Sequence, residues 1–462
     1  MPSDLECYVY VVPPGSTEFV TAGRFSQSRN RQGQPVGTFV YGRRYRERPD
    51  AVELDPVQLK LRQGPFETAR LGGFFGALRD ALPDHWGRRV IARHGGLGEP
   101  SDFDLLLLGP DDRCGAVGFG RGVEPPAPQR RFHRSLDLER IKQAADAILS
   151  EEPHRAGSAL EQVEELIGQA GTSMGGARPK TTVEADQALW LAKFPAPADT
   201  WNQPRVEHGL LLLARRCGLQ VAESRLTRVG DADVLLVKRF DRDWSEGGYR
   251  RHRMVSALTL LQAEDSATDR GQWSYLLLAD ELRRVSAQPA VDLRELFSRI
   301  CFNAAVSNID DHPRNHALLA RSRSWQLSPA YDLTPAPLQA ETRRDLAMAC
   351  GLVDRSPSRW ANRRAILAAA GRFLLQPAAA EAIATRIFST VASSWEATLR
   401  QASVSPGDCQ RLSRAFLYPG LELDPDTTDG FEDVDGYTTG RAAESDSTTG
   451  WAVDDDDDEA PF

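Results

Sequence analysis

The sequence lacks the patterns that membrane spans, disulfide frameworks and zinc sites require. No segment of the 462 residues approaches the roughly 18 consecutive apolar residues of a membrane helix, and the first residues, MPSDLECYVYVVPPG, lack the basic start of a secretion signal. The six cysteines stand far apart without a CxxC pair, which favours reduced thiols over a disulfide framework or a zinc site. We therefore expect a globular cytoplasmic protein without a membrane partner.

Lysine is also scarce, because only five of the 56 basic residues are lysines, so a lysine in an apolar segment carries more information than an arginine would. The lysines are Lys60, Lys142, Lys180, Lys193 and Lys238. Acidic residues concentrate at the end of the chain, where residues 421–462 carry 15 of them and a single base, Arg441. A segment this rich in one charge and poor in apolar residues predicts a disordered acidic tail.

The order of the apolar patterns predicts an α+β fold with four regions. Residues 1–125 alternate apolar and polar positions, as in YVYVV and GTFVYG, and predict a β-rich N-terminal subdomain with one helical stretch over residues 73–95. Residues 126–240 predict a small lobe with a Gly-rich loop, residues 241–420 a larger helical lobe, and residues 421–462 the tail.

A loop and hairpin over residues 307–333, SNIDDHPRNHALLARSRSWQLSPAYDL, carry the strongest chemical signal. The two strands expected are His316–Ala320 and Trp325–Ser328. By folding back on each other they would bring Asn315 near Asp332. Phosphoryl transfer needs an acceptor for the substrate hydroxyl proton and oxygen ligands for the metal that bridges the ATP phosphates. Asp310, Asn315 and Asp332 fit these roles together, although each alone could be an ordinary loop residue in an Asx turn.

A second signal is the Gly-rich segment GTSMGGARPKTT, which precedes a strand ending in Lys193. Gly171, Gly175 and Gly176 would let backbone N–H groups approach phosphates closely, and Lys193 would add a positive charge. The segment is not a Walker loop, because that pattern requires lysine where Ala177 stands.

The surroundings of Lys193 leave two interpretations of one acidic residue. A lysine inside the apolar strand LWLAKFP must either extend to solvent or meet an anion. Glu207, on the helix that follows, is either its ion-pair partner or a solvated helix charge.

Taken together, these segments resemble the HipA family of bacterial toxins, which have a protein-kinase-like bilobal fold. The resemblance rests on TSMGGARPK, LWLAKFP, VKRFDR, NIDDHPRNHALL and SPAYDL, in the family's order and approximate spacing. Two earlier segments, GFFGALRDALPDHWGRRVIAR and LLGPDDRCGAVGF, look like the family's N-terminal subdomain, so the resemblance covers about residues 1–410. It implies a serine/threonine protein kinase that uses ATP and Mg²⁺ between its lobes.

The resemblance also implies a role for each matching residue. Asp310 would be the catalytic base, Asn315 and Asp332 would bind Mg²⁺, and Ser173 would be an autophosphorylation site whose modification inactivates the enzyme. The residues implied around ATP are Gly175, Gly176, Ala177, Arg178, Pro179, Lys180, Lys193, Val237, Lys238, Arg239, Phe240, His312, Arg314 and Tyr331.

The partners implied by the resemblance are a small helix-turn-helix antitoxin similar to HipB and, through it, operator DNA. The phosphorylated substrate would be a translation-related protein such as an aminoacyl-tRNA synthetase. Two alternatives stay open from the residues alone. One is a non-catalytic kinase-like protein that binds nucleotide or a partner, and the other is a DNA-binding regulator, favoured only by arginine-rich patches on a slightly basic body.

Overall fold

The computed structural model describes residues 5–95, 100–130, 132–134, 137–149 and 178–424. These residues form five sheets and a set of helices, so the expected α+β fold is confirmed. Within these residues, no helix is long and apolar enough to cross a membrane.

The N-terminal sheet has five antiparallel strands in the order β4-β3-β2-β1-β5. The strands are β1 Leu5–Val11, β2 Val20–Arg29, β3 Pro35–Tyr41, β4 Pro65–Thr68 and β5 Val117–Gly120. Their inward side chains, such as Val9, Phe25 and Phe39, are fully buried in a core of their own. Buried positions alternate in β3, as in a sheet with one buried face, whereas the end of β1 is buried at consecutive positions.

Four short helices accompany this sheet. They are α1 Arg43–Arg46, α2 Gly76–Arg79, α3 His85–Gly95 and α4 Asp102–Leu108. The expectation of one helical stretch over residues 73–95 is wrong, because the chain breaks between α2 and α3. Pro83 cannot donate a helical hydrogen bond, and Asp84 starts the second helix by accepting the Gly87 N–H at 2.8 Å.

The small lobe is a second five-stranded sheet, in the order β6-β7-β8-β10-β9, together with two helices. The strands are β6 His133–Arg134, β7 Lys180–Ala185, β8 Ala188–Lys193, β9 Ser224–Val229 and β10 Ala232–Lys238, and the helices are α5 Leu138–Leu149 and α6 Gln203–Arg216. Only β6 and β7 run parallel. In the β7–β8 register, Lys180 lies opposite Lys193.

The large lobe is mainly helical. Its helices are α7 Ala257–Leu261, α8 Tyr275–Val285, α9 Pro289–Val306, α10 Arg363–Ala368, α11 Pro377–Gln401 and α12 Pro406–Leu412. Short 3-10 turns are Ala267–Gln272, Pro313–Asn315, Ala370–Phe373, Ser413–Ala415 and Pro419–Leu421. Every residue from Leu296 to Val306 of α9 is buried, so this helix forms the centre of the lobe.

Small antiparallel sheets complete the large lobe. Their strands are β11 Arg242–Ser245 with β12 Gly248–Arg251, β13 Arg253–Ser256 with β14 Ala317–Ala320 and β15 Gln326–Leu327, and β16 Gly351–Val353 with β17 Ser356–Ser358. The central strand of the three-stranded sheet is β14. Because β14 begins directly after the loop at Asp310, this sheet fixes one end of that loop.

Candidate functional site

Lys193 lies where three elements meet. It is the last residue of β8, and its Nζ atom lies 2.6 Å from Glu207 Oε1 on α6 and 2.8 Å from Asp332 Oδ1 in the large lobe. Burial disfavours the charged lysine, but attraction to Asp332 and Glu207 outweighs burial and raises the pKa of Lys193. The ammonium therefore stays positive at physiological pH.

Helix α6 holds Glu207 firmly because the helix packs into the core of the large lobe. A Cβ added at Gly209 would lie only 3.2 Å from Leu399 of α11 and 3.4 Å from Ala402, which leaves little space between the two segments. The Glu207 side chain is only 5% exposed. Of the two interpretations of Glu207, the structure therefore supports the ion-pair partner, and the solvated helix charge is wrong.

The loop that carries Asp310 is fixed where it leaves α9. Ser307 has a left-handed backbone (φ 50°), which ends the helix. Its hydroxyl donates a hydrogen bond to the Ala415 carbonyl (2.7 Å) and accepts one from the Arg344 guanidinium (2.7 Å). These contacts set the direction in which the chain enters the loop.

The adjacent aspartates Asp310 and Asp311 have opposite environments. Asp311 is buried and accepts hydrogen bonds from the Tyr275 hydroxyl, the Asn303 amide (2.7 Å) and the His316 ring Nε2 (2.7 Å). Burial alone would raise the pKa of Asp311, but His316 and these hydrogen bonds lower it. Asp311 is thus an ionised group enclosed by its partners, and it cannot meet a substrate.

The Asp310 side chain, in contrast, is exposed. Desolvation by the surrounding chain raises its pKa, the negative charges of Asp332 and Asp311 raise it further, and His312 opposes them. The Asp310 carbonyl accepts the His312 N–H (2.8 Å) and the Asn315 side-chain amide (3.2 Å). The carboxylate is therefore free to face a ligand, while its backbone is held by the loop.

The hairpin after this loop is close to the expected one. Its strands are Ala317–Ala320 and Gln326–Leu327. The first begins one residue later than expected, and the second is shorter at both ends. The pairing of Leu318 with Leu327 and the hydrogen bond from Ser328 N–H to the Ala317 carbonyl (2.8 Å) return the chain to the loop.

The residues that precede the two expected metal ligands, Asn315 and Asp332, contact each other. The Tyr331 hydroxyl donates to the Arg314 carbonyl at 2.7 Å, so the residue before Asp332 contacts the residue before Asn315. Asp332 also has a left-handed backbone (φ 59°), which is unusual for a residue with a side chain and recurs at functional sites. Burial raises and Lys193 lowers the pKa of Asp332, with lowering as the net effect, so the carboxylate is ionised.

A carboxylate and an amide oxygen suit Mg²⁺, which takes one or two protein oxygens and completes its shell with phosphate and water. Across the described residues, no three His, Cys, Asp or Glu side chains converge to hold a metal by themselves. The donor set of Asn315 and Asp332 therefore fits Mg²⁺ carried on a phosphate ligand better than a metal held by protein alone.

A small apolar surface lies beside Lys193. Ala222, Leu235 and Val237 are buried together, and the half-buried rings of Phe240 and Tyr331 pack against them with centroids 5.6 Å apart. Leu235 is the β10 neighbour of Lys193 in the sheet. The Lys193 ammonium and the Asp332 carboxylate, with its metal, can bind the phosphates of a nucleotide, and the apolar surface can bind its flat base.

The structure corrects the expectation for Arg239. Its guanidinium is fully buried, donates two hydrogen bonds to Asp241 (Nε–Oδ1 3.0 Å, Nη2–Oδ2 2.9 Å) and contacts Asp112. Burial opposes the charged form, but Asp112 and Asp241 raise the pKa of Arg239. Since the side chain is enclosed by these carboxylates, only the backbone of Arg239 can face a nucleotide.

Two of the expected ATP-binding lysines, Lys180 and Lys238, each have another carboxylate partner. Lys180 is buried, with its Nζ atom 2.7 Å from Asp84 Oδ2 in the N-terminal region. Lys238 is exposed, with its Nζ atom 3.0 Å from Glu223. A phosphate bound by either lysine would share the ammonium with that carboxylate or displace it.

The remaining expected residues divide into two groups. Ser173 and the loop residues Gly175, Gly176 and Ala177 lie outside the described residues. Four others are described: Arg178 pairs with Asp199 (2.6 Å), the Pro179 carbonyl accepts the Phe194 N–H (3.0 Å), His312 lies near the Trp273 ring, and Arg314 pairs with Asp265 (2.8 Å).

The enclosure of Asp311 was not foreseen from the sequence. Its partner Tyr275 lies 36 positions earlier in the chain, and no local pattern connects the two residues. The spacing of His316 five residues after Asp311 was visible, but it does not indicate a contact without the hairpin geometry.

Comparison with known proteins places this site in a family. A family model described as the HipA-like C-terminal domain matches residues 172–395, which include Lys193, Asp310 and Asp332. A second model, the HipA N-terminal domain, matches residues 18–120. Together the two models span more than half of the chain. The chain belongs to the HipA family. The resemblance found in the sequence motifs is thereby confirmed.

This HipA-family chain is also similar to a sequence relative and to a solved structure. A protein of Sinorhizobium fredii (strain NBRC 101917 / NGR234), named "Putative kinase Y4mE", is 27% identical over 355 residues, covering 71% of this chain and 78% of its own. A solved chain from the Shewanella oneidensis MR-1 toxin–antitoxin complex of HipA, HipB and operator DNA superposes with a TM-score of 0.62 at 17% identity. That match covers 86% of this chain and 93% of the Shewanella chain, and it shows that the two share a fold.

Proposed function

We propose that this chain is an ATP- and Mg²⁺-dependent serine/threonine protein kinase that acts as the toxin of a toxin–antitoxin module. The observation that carries the proposal is the arrangement around Lys193, which pairs with Glu207 and Asp332 while the carboxylate of Asp310 stays exposed nearby. Membership of the HipA family and the similarity to the Sinorhizobium protein named as a kinase support the same activity.

Each proposed role follows from the surroundings of its residue. Asp310 accepts the proton of the substrate hydroxyl, because its carboxylate is exposed and its raised pKa makes it a better proton acceptor than an ordinary aspartate. Asp311 cannot take this role, because it is buried and its Oδ2 atom already contacts Tyr275, Asn303 and His316. The backbone of β10 near Val237 and the rings of Phe240 and Tyr331 receive the adenine.

ATP binding requires a change of partners at Asp332. Asn315 and Asp332 would hold Mg²⁺, which neutralises charge on the phosphates. In this structure Asp332 is paired with Lys193 at 2.8 Å. We therefore expect Lys193 to turn from Asp332 toward the phosphates when ATP enters, while Glu207 keeps its hold on the ammonium.

The partners proposed for this kinase follow from its relatives. The Shewanella chain was solved with HipB and operator DNA, which supports a small helix-turn-helix antitoxin that links this chain to its own operator. The protein substrate we propose is translation-related, of the aminoacyl-tRNA synthetase class. Ser173 is the proposed autophosphorylation site, where a phosphate would compete with ATP for Lys193.

Labelled ATP tests the kinase proposal directly. Purified protein incubated with labelled ATP and Mg²⁺ should label itself or an added protein, and Asp310→Asn should lower labelling by about 10²- to 10⁴-fold while binding ATP normally. Asp345→Asn is the matched control, because Asp345 is an exposed aspartate of the large lobe whose side chain pairs with Arg343 (3.0 Å). ATP binding without labelling by the wild type would instead support the non-catalytic binding protein.

Mass spectrometry tests the autophosphorylation site. We expect phosphate on Ser173 and none after Ser173→Ala. Stoichiometric phosphate at another residue, with Ser173 unmodified, would remove this part of the proposal.

A further inference from the structure

Two carboxylates from the short segment between α2 and α3 contact the two lobes separately. On the large lobe, Asp80 accepts the backbone N–H of Ser256 (2.7 Å), the Ser256 hydroxyl (2.6 Å) and the Thr259 hydroxyl (2.7 Å). Ser256 is the residue at which β13 ends and α7 begins. Asp80 therefore fixes the junction between a strand and a helix of the large lobe.

This junction lies next to the loop that carries Asp310. Ser256 pairs with Ala317 in the β13–β14 ladder, and the Ala257 N–H donates to the His316 carbonyl at 2.8 Å. The His316 ring in turn contacts Asp311, the neighbour of Asp310. Continuous hydrogen bonds thus lead from Asp80 to the proposed catalytic loop.

On the small lobe, Asp84 holds Lys180. One carboxylate oxygen of Asp84 accepts the Gly87 N–H at the start of α3, and the other lies 2.7 Å from Lys180 Nζ. The two side chains are 3% and 2% exposed, respectively. Lys180 begins β7 and lies opposite Lys193 in the sheet, so Asp84 anchors the strand that adjoins the phosphate-binding lysine.

The connection between the two anchors is short and stiff. Only three residues separate Asp80 from Asp84, and one of them is Pro83, whose ring restricts the backbone. The helix before them also touches the large lobe directly, because a Cβ added at Gly76 would lie 2.4 Å from the Thr259 hydroxyl oxygen. A displacement of one lobe relative to the other would therefore break one of the two anchors.

A buried ion pair such as Asp84–Lys180 is weak evidence for stability, since well-packed apolar residues often stabilise a core as well, and its best-attested use is to fix a unique arrangement. We propose that residues 80–84 form a strap between the lobes, in which Asp80 and Asp84 are positioning residues for phosphoryl transfer. The strap sets the distance between Lys193 on the small lobe and Asp310 on the large lobe. This inference rests on the proposed kinase activity.

Asp80→Asn and Asp84→Asn, alone and combined, test the strap. Each change keeps the side-chain shape and removes the charge that holds one lobe. Because a misplacement of about 1 Å can cost 10²-fold in rate, we expect each single variant to lower kcat/KM for ATP by about 10- to 100-fold. The double variant should lose little more than the worse single variant, because the strap positions the lobes only while both of its anchors are intact.

Several measurements keep this test decisive. Asp50→Asn is the control, since Asp50 pairs with Arg48 on the surface of the N-terminal region (2.9 Å) and should leave kcat/KM unchanged. Denaturation curves establish that each variant is folded at the assay temperature. If Asp84→Asn does not fold, Thr259→Val provides a milder test, because it removes one hydroxyl donor from Asp80 and should lower kcat/KM in the same direction.

The outcomes separate this inference from the proposed function. An active wild type whose strap variants keep normal kcat/KM would overturn the strap alone. Losses that multiply in the double variant would also overturn it, because they would mark two independent structural contacts. A wild type that neither binds ATP nor transfers phosphate would refute the kinase proposal and the strap with it.

Discussion

Replacing each of the two adjacent aspartates by asparagine should separate catalysis from stability. Asp311 is buried and receives three hydrogen bonds, from Tyr275, Asn303 and His316. Hydrogen bonds to a charged group contribute about 1.5–3 kcal/mol each, and breaking a buried charged contact commonly costs about 3–5 kcal/mol. We therefore expect Asp311→Asn to lower the free energy of unfolding by about 3–5 kcal/mol, because the neutral amide removes the negative charge that these donors stabilise and places an NH2 group in a buried position.

Asp310→Asn should have the opposite profile. The side chain is exposed, and neighbouring negative charges disfavour its ionised form, so its free energy of unfolding should change by no more than about 0.5 kcal/mol. Phosphoryl transfer should fall by about 10²- to 10⁴-fold, the usual contribution of a general base.

Urea denaturation and a phosphoryl-transfer assay on the same three proteins measure both effects. The phosphoryl-transfer assay is run without denaturant, at a temperature at which Asp311→Asn is still folded. The reasoning would be refuted if Asp311→Asn unfolded like the wild type, or if Asp310→Asn retained full turnover. A destabilised Asp310→Asn would show that the assignment of buried and exposed aspartates is reversed.

Three further predictions concern the same site. Asp332→Ala should weaken ATP binding at least about tenfold in the presence of Mg²⁺ and much less in its absence, as measured by calorimetry, because the proposed metal ligand is lost; equal weakening in both conditions would argue against that role. Gly209→Ala should leave the free energy of unfolding in urea nearly unchanged, whereas Gly209→Val should lower it by about 1–3 kcal/mol through overpacking against Leu399. A Gly209→Val variant as stable as the wild type would mean that α6 and α11 are less closely packed. The pH profile of kcat/KM should fall on the acid side with an apparent pKa above the ordinary aspartate value of about 3.9, because the pKa of Asp310 is raised and its protonated form cannot accept a proton. If the residual activity of Asp310→Asn fell at the same pH, the titration would belong to another group.

The local chemistry of the site was predictable from sequence because spacing and period carry it. The apolar strand ending in Lys193 and the return from Asn315 to Asp332 follow from turn signals and alternating side chains. The pairing of Lys193 with Glu207 was one of two interpretations that the sequence left open, and the contact in the structure decides between them. Each of these features depends on residues within one supersecondary unit.

The contacts between distant segments could not be predicted in this way. Arg239 stands in the motif VKRFDR, which suggests a nucleotide contact, but its guanidinium is enclosed by Asp112 from 127 positions away. Lys180 stands in the Gly-rich segment, but it pairs with Asp84 from 96 positions away. Whether a basic side chain meets a ligand or a buried carboxylate is decided by tertiary packing, and composition and periodicity do not report it. Pro83 is a sequence signal for the break between α2 and α3. The helical pattern of apolar residues on both sides of Pro83 nevertheless favoured one continuous helix.

The most direct test of the account is the transfer of labelled phosphate from ATP by the purified protein, followed by mapping of the labelled residue. We predict Mg²⁺-dependent labelling of serine or threonine by the wild type and labelling at least about 10²-fold slower by Asp310→Asn, with ATP binding retained by both. The kinase assignment would be contradicted if the folded wild type bound ATP and Mg²⁺ but transferred no phosphate, either to itself or to any of the proteins tested as substrates.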